Sequence, residues 1–212
     1  MNKEQINKAL EELQKQPAKK FTQSYDLIIN IKNLVLAQNP LDFFVTLHFP
    51  LGKKIRVAAF VDQQLEENAK KYCDEVITES DFVKYSSKKD MKKLADSYDY
   101  FISQANLMPK VAATFGKVLG IKGKMPNPKL GCVVPPNANL EPLVKKLRLT
   151  VRLTTKKGLN LQCMVGKESQ PTEEIIDNTL TIYNTIVKQL PNEIQNIKSL
   201  ILKRTMGAPV KI

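Results

Sequence analysis

The side chains that could run a reaction or hold a metal are few in this sequence: one histidine, three cysteines and some neighbouring glutamates, among them Glu66-Glu67 and Glu173-Glu174. His48 stands in the strand-like run FFVTLHFP, without the usual partners of a catalytic base or a zinc ligand nearby. It reads as a structural histidine at a strand end. Cys73, Cys132 and Cys163 are far apart, odd in number and free of CxxC or CxxH spacing. That pattern argues against a disulfide framework and a zinc cluster, and predicts buried or half-buried thiols in a reducing cytosol. Glu66-Glu67 and Glu173-Glu174 are adjacent, so on a helix they point to different sides and cannot share one acid–base task. With no histidine–cysteine or serine–histidine–aspartate set, nucleophilic catalysis lacks a base. The expectation is no catalytic residue, no metal and no cofactor.

The segment GKVLGIKGKMPNPK (116–129) invites a phosphate-loop reading, because glycine lets backbone N–H groups approach an anion. It fails the specific patterns: Gly123-Lys124 is followed by Met125 rather than Ser or Thr, and Gly116, Gly120 and Gly123 are not spaced as GxGxxG. A basic loop against a phosphate backbone fits better, with Lys122, Lys124 and Lys129 as its contacts.

Charge supports that chemistry. The 212 residues carry a net +12, and between Asp99 and Glu168 a single acid, Glu141, faces twelve bases. Solvated faces usually mix both signs, so this stretch calls for a polyanion. Only four of the 33 bases are arginine, and lysine acts on phosphate as a point charge. A membrane surface would want the bases along one amphipathic helix, whereas these fall on loops and several elements. The longest stretch free of charged residues, Leu130 to Leu140, is about half the ~20 residues of a spanning helix. The N-terminal MNKEQINKALEELQKQ lacks the apolar core of a secretory signal.

The elements that must position these residues follow from periodicity. Asn2 caps a helix with Ile6, Leu10 and Leu13 on one face, and strands follow over 25–31 and 41–49, separated by Asn39-Pro40. From Ile55 the pattern becomes strand–helix alternation. It starts with the apolar run IRVAAFV, continues through strands near 74–78 and 98–103, and reaches a helix over 107–118, as in a small parallel sheet with right-handed crossovers. Residues 116–136 read as a long functional loop, followed by a helix over 140–147. Strands over 149–155 and 159–166 are expected to form a hairpin through Lys156-Lys157-Gly158. A helix over 172–189, a strand over 197–204 and the tail TMGAPVKI close the chain.

The two ends share a style that the middle lacks. The economical architecture mixes α/β and α+β: an α+β domain built from residues 1–51 and 150–212, with a parallel α/β domain of residues 52–149 inserted between two crossings that form a double hinge. A single fused domain satisfies the same pattern.

Two short segments combine small, hydroxyl and apolar residues in a way a core does not require: Lys20-Phe21-Thr22-Gln23-Ser24 and Lys203-Arg204-Thr205-Met206-Gly207. On composition alone, Phe21 reads first as core and Met206 as a gap-filler. The competing reading has hydroxyls meeting 2′-OH and phosphate groups while Phe21 and Met206 pack on bases or sugars.

Together with LGIKGK before MPNPK, QANLMP, NANLEPLVKKL, VGKE, FTQS near the start and TMG at the end, these segments resemble the ribosomal protein L-one family of the large subunit's mobile stalk, most closely its archaeal and eukaryotic branch. The resemblance runs through nearly the whole chain in order. It implies a discontinuous RNA-binding domain with a Rossmann-like insertion, and a monomer when free. The implied location is the cytoplasm, bound to the ribosome. The implied partners are large-subunit rRNA, exit-site tRNA during release of deacylated tRNA, and the protein's own mRNA, whose translation it would repress. Carried over by position, the RNA contacts are Lys20, Phe21, Ser24, Asp26, Lys156, Ser199, Thr205, Met206 and Gly207, and the alignment reverses the order of the two readings of Phe21 and Met206. The chain departs from the family at Gly120-Ile121-Lys122-Gly123 (usually GPRG), at Ala208 (usually Pro) and at Leu51 (usually His). Rival readings are a nucleotide- or phosphosugar-binding α/β enzyme using the inserted domain, and a basic chaperone or protein-interaction module.

Overall fold

The computed structural model describes residues 1–17, 19–35, 40–85, 87–155 and 158–212. In chain order the regular elements are α1 (Lys3–Gln14), β1 (Ser24–Ile31), β2 (Asp42–Thr46), β3 (Val57–Phe60), α2 (Gln63–Tyr72), β4 (Glu75–Ile77), α3 (Lys88–Ser97), β5 (Tyr100–Gln104) and α4 (Met108–Lys122). They continue with β6 (Val133–Val134), α5 (Leu140–Arg148), β7 (Thr150–Thr154), β8 (Asn160–Lys167), α6 (Thr172–Gln189), β9 (Ile197–Arg204) and β10 (Val210–Lys211). Two compact units result, Met1–Lys53 with Leu149–Ile212, and Lys54–Arg148.

In the first unit an antiparallel sheet runs β10-β9-β1-β8. Burial along β1 alternates strictly, with Tyr25, Leu27, Ile29 and Ile31 inside and Ser24, Asp26, Ile28 and Asn30 on the other face. That period of two is what a sheet covered on one face requires. The covering helices are α1, through Ile6, Ala9, Leu10 and Leu13, and α6, through Ile175, Ile182 and Ile186. The start of α1 is set by Asn2, whose N–H donates to the Gln5 side chain at 3.0 Å. A separate two-stranded sheet pairs β2 with β7.

The second unit is a parallel sheet of order β4-β3-β5-β6. All four residues of β3 are buried, as a strand covered on both faces must be. Its core is aromatic: the Phe60 ring lies 5.0 Å from Phe115 and 5.7 Å from Phe101, with Phe82 edge-on to both Phe60 and Phe115.

Several expectations need correction. Strands β7 and β8 are not a hairpin pair: β7 joins β2, and β8 joins β1. The turn residues Lys156 and Lys157 lie outside the described residues, as does Asn39 of the earlier breaker. The segment 116–136 is not one long loop. Helix α4 runs through Gly116 and Gly120, where an added Cβ would meet nothing within 4 Å, and ends at Gly123 in the left-handed region. A turn of 3₁₀ helix at Pro128–Leu130 and the short strand β6 fill the rest. The tail also holds a strand, β10, paired with β9.

Helix α6 grips the chain where it leaves the first unit. The buried Asn178 carboxamide accepts the Phe49 N–H at 3.3 Å and donates to the carbonyls of Phe49 and Val165 at 3.2 and 3.1 Å. Gln170 donates to the Pro50 carbonyl at 2.7 Å, and Gly52 then turns with φ +72° where a Cβ would strike the Gln170 side chain at 2.9 Å. Asn178→Ala leaves these backbone groups unpaired and is expected to cost about 2 kcal/mol in a denaturant titration followed by α6 helicity.

Candidate nucleic-acid interface

The two segments singled out from the sequence meet at one end of the antiparallel sheet. Strands β1 and β9 pair with Tyr25 opposite Arg204, Asp26 opposite Lys203 and Asn30 opposite Ser199. Beyond the last pair, the Thr205 N–H donates to the Ser24 carbonyl at 3.0 Å, and the Ser24 N–H reaches Thr205 Oγ1 at 3.3 Å. The buried Gln23 carboxamide accepts the Met206 N–H at 3.0 Å. The Gly207 N–H closes a turn onto the Arg204 carbonyl at 3.0 Å. Gln16, just past α1, brackets the tail by donating to the Ala208 carbonyl at 3.1 Å and accepting the Ala208 N–H at 3.0 Å. Space is tight here: a Cβ on Gly207 would sit 2.5 Å from Gln16 Oε1 and 3.0 Å from the Arg204 Cβ.

This scaffold leaves two large apolar side chains in solvent. Phe21 is 50% exposed and Met206 63% exposed. Phe21 stands two residues before Gln23, so the chain can separate them by only about 7 Å. Neither is core, which removes the reading that composition favoured. Lys20 is exposed beside Phe21.

The alternation of β1 and β9 carries the site along the sheet's open face. Ser24, Asp26 and Asn30 lie there with Ser199 and Lys203, and Asn30 donates to Ser199 Oγ at 2.8 Å. Partial burial raises the Asp26 carboxyl above its ordinary value, and Lys203 across the strand pulls it part of the way back. Hydroxyls, amides and one carboxylate are the groups that can exchange hydrogen bonds with ribose 2′-OH. Lys156 lies outside the described residues. The sequence reading passed over Gln16 and Asn30 and named Gln23 and Lys203 only within the two segments, without a role; Asn30 was findable, since it shares the period-two face of Ser24 and Asp26.

The inserted unit offers less. Lys122 pairs with Asp96, and Lys124 donates to the carbonyls of Ala95 and Tyr98 at 2.8 and 2.7 Å, completing the end of α3. Those lysines have work inside the fold, which weakens their standing as RNA contacts. Lys129 is exposed, beyond a turn in which Asn127 Oδ1 accepts the Lys129 N–H at 2.9 Å. A nucleotide would be expected in the crevice at the carboxyl ends of β3 and β5, where the strand order reverses. There the buried Gln104 side chain accepts the Asp62 N–H at 2.9 Å.

The remaining chemistry-bearing residues are quiet. Burial pushes the thiols of Cys163 and Cys73 up to about 12 and about 11, so neither is nucleophilic at neutral pH. His48 Nδ1 lies 2.7 Å from Asp177 at the surface. Among the described residues no group of histidine, cysteine and carboxylate side chains gathers to hold a metal, and no helix is long and apolar enough to cross a membrane.

With this geometry in view, residues 13–208 match the Ribosomal protein L1p/L10e family. The chain belongs to that family. It is similar over nearly its whole length to curated relatives called large ribosomal subunit protein uL1. The relative from Nanoarchaeum equitans is 41% identical, with 92% of each chain covered, and that from Methanothermococcus thermolithotrophicus is 38% identical over 100% of this chain and 99% of its own. A third, from Hyperthermus butylicus, is 36% identical, over 99% of this chain and 96% of its own. The family comprises structural proteins of the ribosome rather than enzymes, and its mixed α/β architecture is the one described above.

Two expected outcomes follow from the geometry. Gly207→Ala forces the Gln16 amide out of its bracket, and protection of the Ala208 amide in hydrogen exchange should fall, with a stability loss of about 1 kcal/mol. Because the Asp26 carboxyl is raised in the folded state, ionising it costs stability as pH rises above the ordinary carboxylate value of 3.8. Asp26→Asn should therefore be more stable than the parent at neutral pH, and the advantage should vanish below about pH 4, where both side chains are neutral.

Proposed function

We propose that this protein is a structural constituent of the large ribosomal subunit, bound to the ribosome in the cytoplasm. In this reading the sheet end formed by Lys20, Phe21, Ser24, Asp26, Ser199, Thr205, Met206 and Gly207, with Lys156, holds large-subunit rRNA and builds the mobile stalk. The observation that carries it is an exposed Met206 on a turn held by Gln23, with an exposed Phe21 two residues before that glutamine. Support also comes from relatives named as large-subunit proteins along the full length of the chain. An open sheet face of hydroxyls and amides suits 2′-OH recognition, and the net +12 suits phosphate.

The finer roles are part of the same proposal. The inserted unit, residues 54–148, turns on crossings near Gly52 and Leu149 and assists release of deacylated tRNA from the exit site. The sheet end also binds a similar fold in the protein's own mRNA and represses its translation. Exposed Lys129 is the strongest contact the inserted unit offers of the three lysines in its basic segment. The rival nucleotide-enzyme reading is disfavoured by Gln104, whose buried side chain already takes the Asp62 N–H at the carboxyl end of β3.

The test is binding of a large-subunit rRNA fragment in a gel-shift assay. With about six phosphates engaged, log affinity should fall against log salt with a slope of about −4 to −5. Met206→Asp should weaken binding by about 2 kcal/mol without altering the melting temperature. Parent-like affinity in that variant sinks the site assignment. Failure of the protein to sediment with large subunits at moderate salt sinks the function.

A further inference from the structure

Beside the turn of Thr205, Met206 and Gly207 the surface sinks into a pocket of about 210 Å³ whose walls include Gln16, Pro17, Gln23, Arg204, Met206 and Ala208. That is smaller than the ~300–1,000 Å³ of drug-sized sites and suits a single planar heterocycle. Pro17, Met206 and Ala208 supply its apolar surface and Gln16, Lys19 and Gln23 its polar surface. The remaining wall is Arg204, only 6% exposed.

The state of Arg204 is what gives the pocket a chemistry. Its Nε lies 2.8 Å from Glu168 Oε1 but is poorly aligned for a hydrogen bond, and its Nη1 reaches the Gln16 carbonyl only at 3.5 Å. Among the described residues Nε is the buried side-chain donor left without a hydrogen-bond partner. A buried guanidinium donor without a matched acceptor is costly, and Arg204 lines the cavity. The carboxamides of Gln16 and Gln23 are already bonded to the tail backbone, so they compete little for a ligand. Glu168 itself is held in place by the Gln23 N–H at 3.0 Å. That carboxylate already offsets the Arg204 charge, so a neutral acceptor is the better match for Arg204, while Lys19 on the pocket wall can meet the backbone phosphate of the same nucleotide.

We infer that the pocket receives one unpaired base of the bound RNA that presents adjacent acceptors, as guanine does with O6 and N7. Arg204 donates to that edge, while Pro17 and the polarizable Met206 pack on the ring. This rests on the reading of the sheet end as an RNA site. Adenine places an amino donor where guanine has O6, so it meets Arg204 donor to donor.

The experiment measures binding of the full-length protein to the RNA nonamers UUUUGUUUU and UUUUAUUUU by fluorescence anisotropy at one salt concentration. A folded large-subunit rRNA fragment is titrated in parallel. The guanine nonamer should bind about tenfold tighter than the adenine one. The preference should disappear when 7-deazaguanine, which lacks the N7 acceptor, replaces guanine, an arm that leaves the protein untouched. Arg204→Lys, checked for its melting temperature, should erase the preference while keeping the charge. Equal affinity for the two nonamers, or a preference that survives 7-deazaguanine, overturns the pocket. If the rRNA fragment still binds in that case, the pocket alone has failed; if the fragment does not bind either, the RNA reading fails with it.

Discussion

The pairing of β1 with β9 is the contact on which the rest depends. It brings Ser24 beside Thr205 across a separation of 181 residues and sets the register that puts Asp26 against Lys203 and Asn30 against Ser199. A slip of one residue would turn every one of those side chains to the helix-covered face and bring Leu27, Ile29 and Leu202 out into water. The hydrophobic alternation of both strands thus enforces the polar face as strongly as the core. The open face is a by-product of the packing of α1 and α6, and it is rigid for the same reason.

Glutamine does much of the local positioning. Gln23, buried, and Gln16, at the end of α1, present both an acceptor and a donor, and between them they fix the backbone of Met206 and Ala208. Neither side chain needs to touch a ligand to matter. By holding the turn, they keep Met206 from folding back onto the sheet and maintain the cavity beneath it.

Much of this was legible in the sequence where a strong local period existed. The helices around Leu10 and Ile182, the alternating β1 and β9, and the unbroken apolar run of β3 all follow from burial of one or both faces. The site segments were legible because they carry glycine, methionine and hydroxyls in places a core does not call for. Partnering between strands was not legible: β7 and β8 are neighbours in sequence with a turn-like link, yet each is claimed by a strand from the other end of the first unit, a choice made by long-range packing. The glycines of α4 misled for a different reason. Gly116 and Gly120 weaken a helix but do not stop one whose other face, through Val111, Phe115 and Leu119, is buried in an aromatic core. The lysines at 122 and 124 looked like free charge because sequence does not reveal which carbonyls lie within reach.

The closing of the sheet by a strand so late in the chain has a bearing on how the molecule is made. Residues 54–148 form a contiguous stretch that can condense on its own while translation continues, whereas β1 waits with one unpaired edge until β9 and the turn after it have been synthesised. A nascent chain halted before residue 197 therefore carries β1 without β9 and without the turn of Thr205, Met206 and Gly207. Synthesis order thus makes the completed sheet end the last part of the first unit to form.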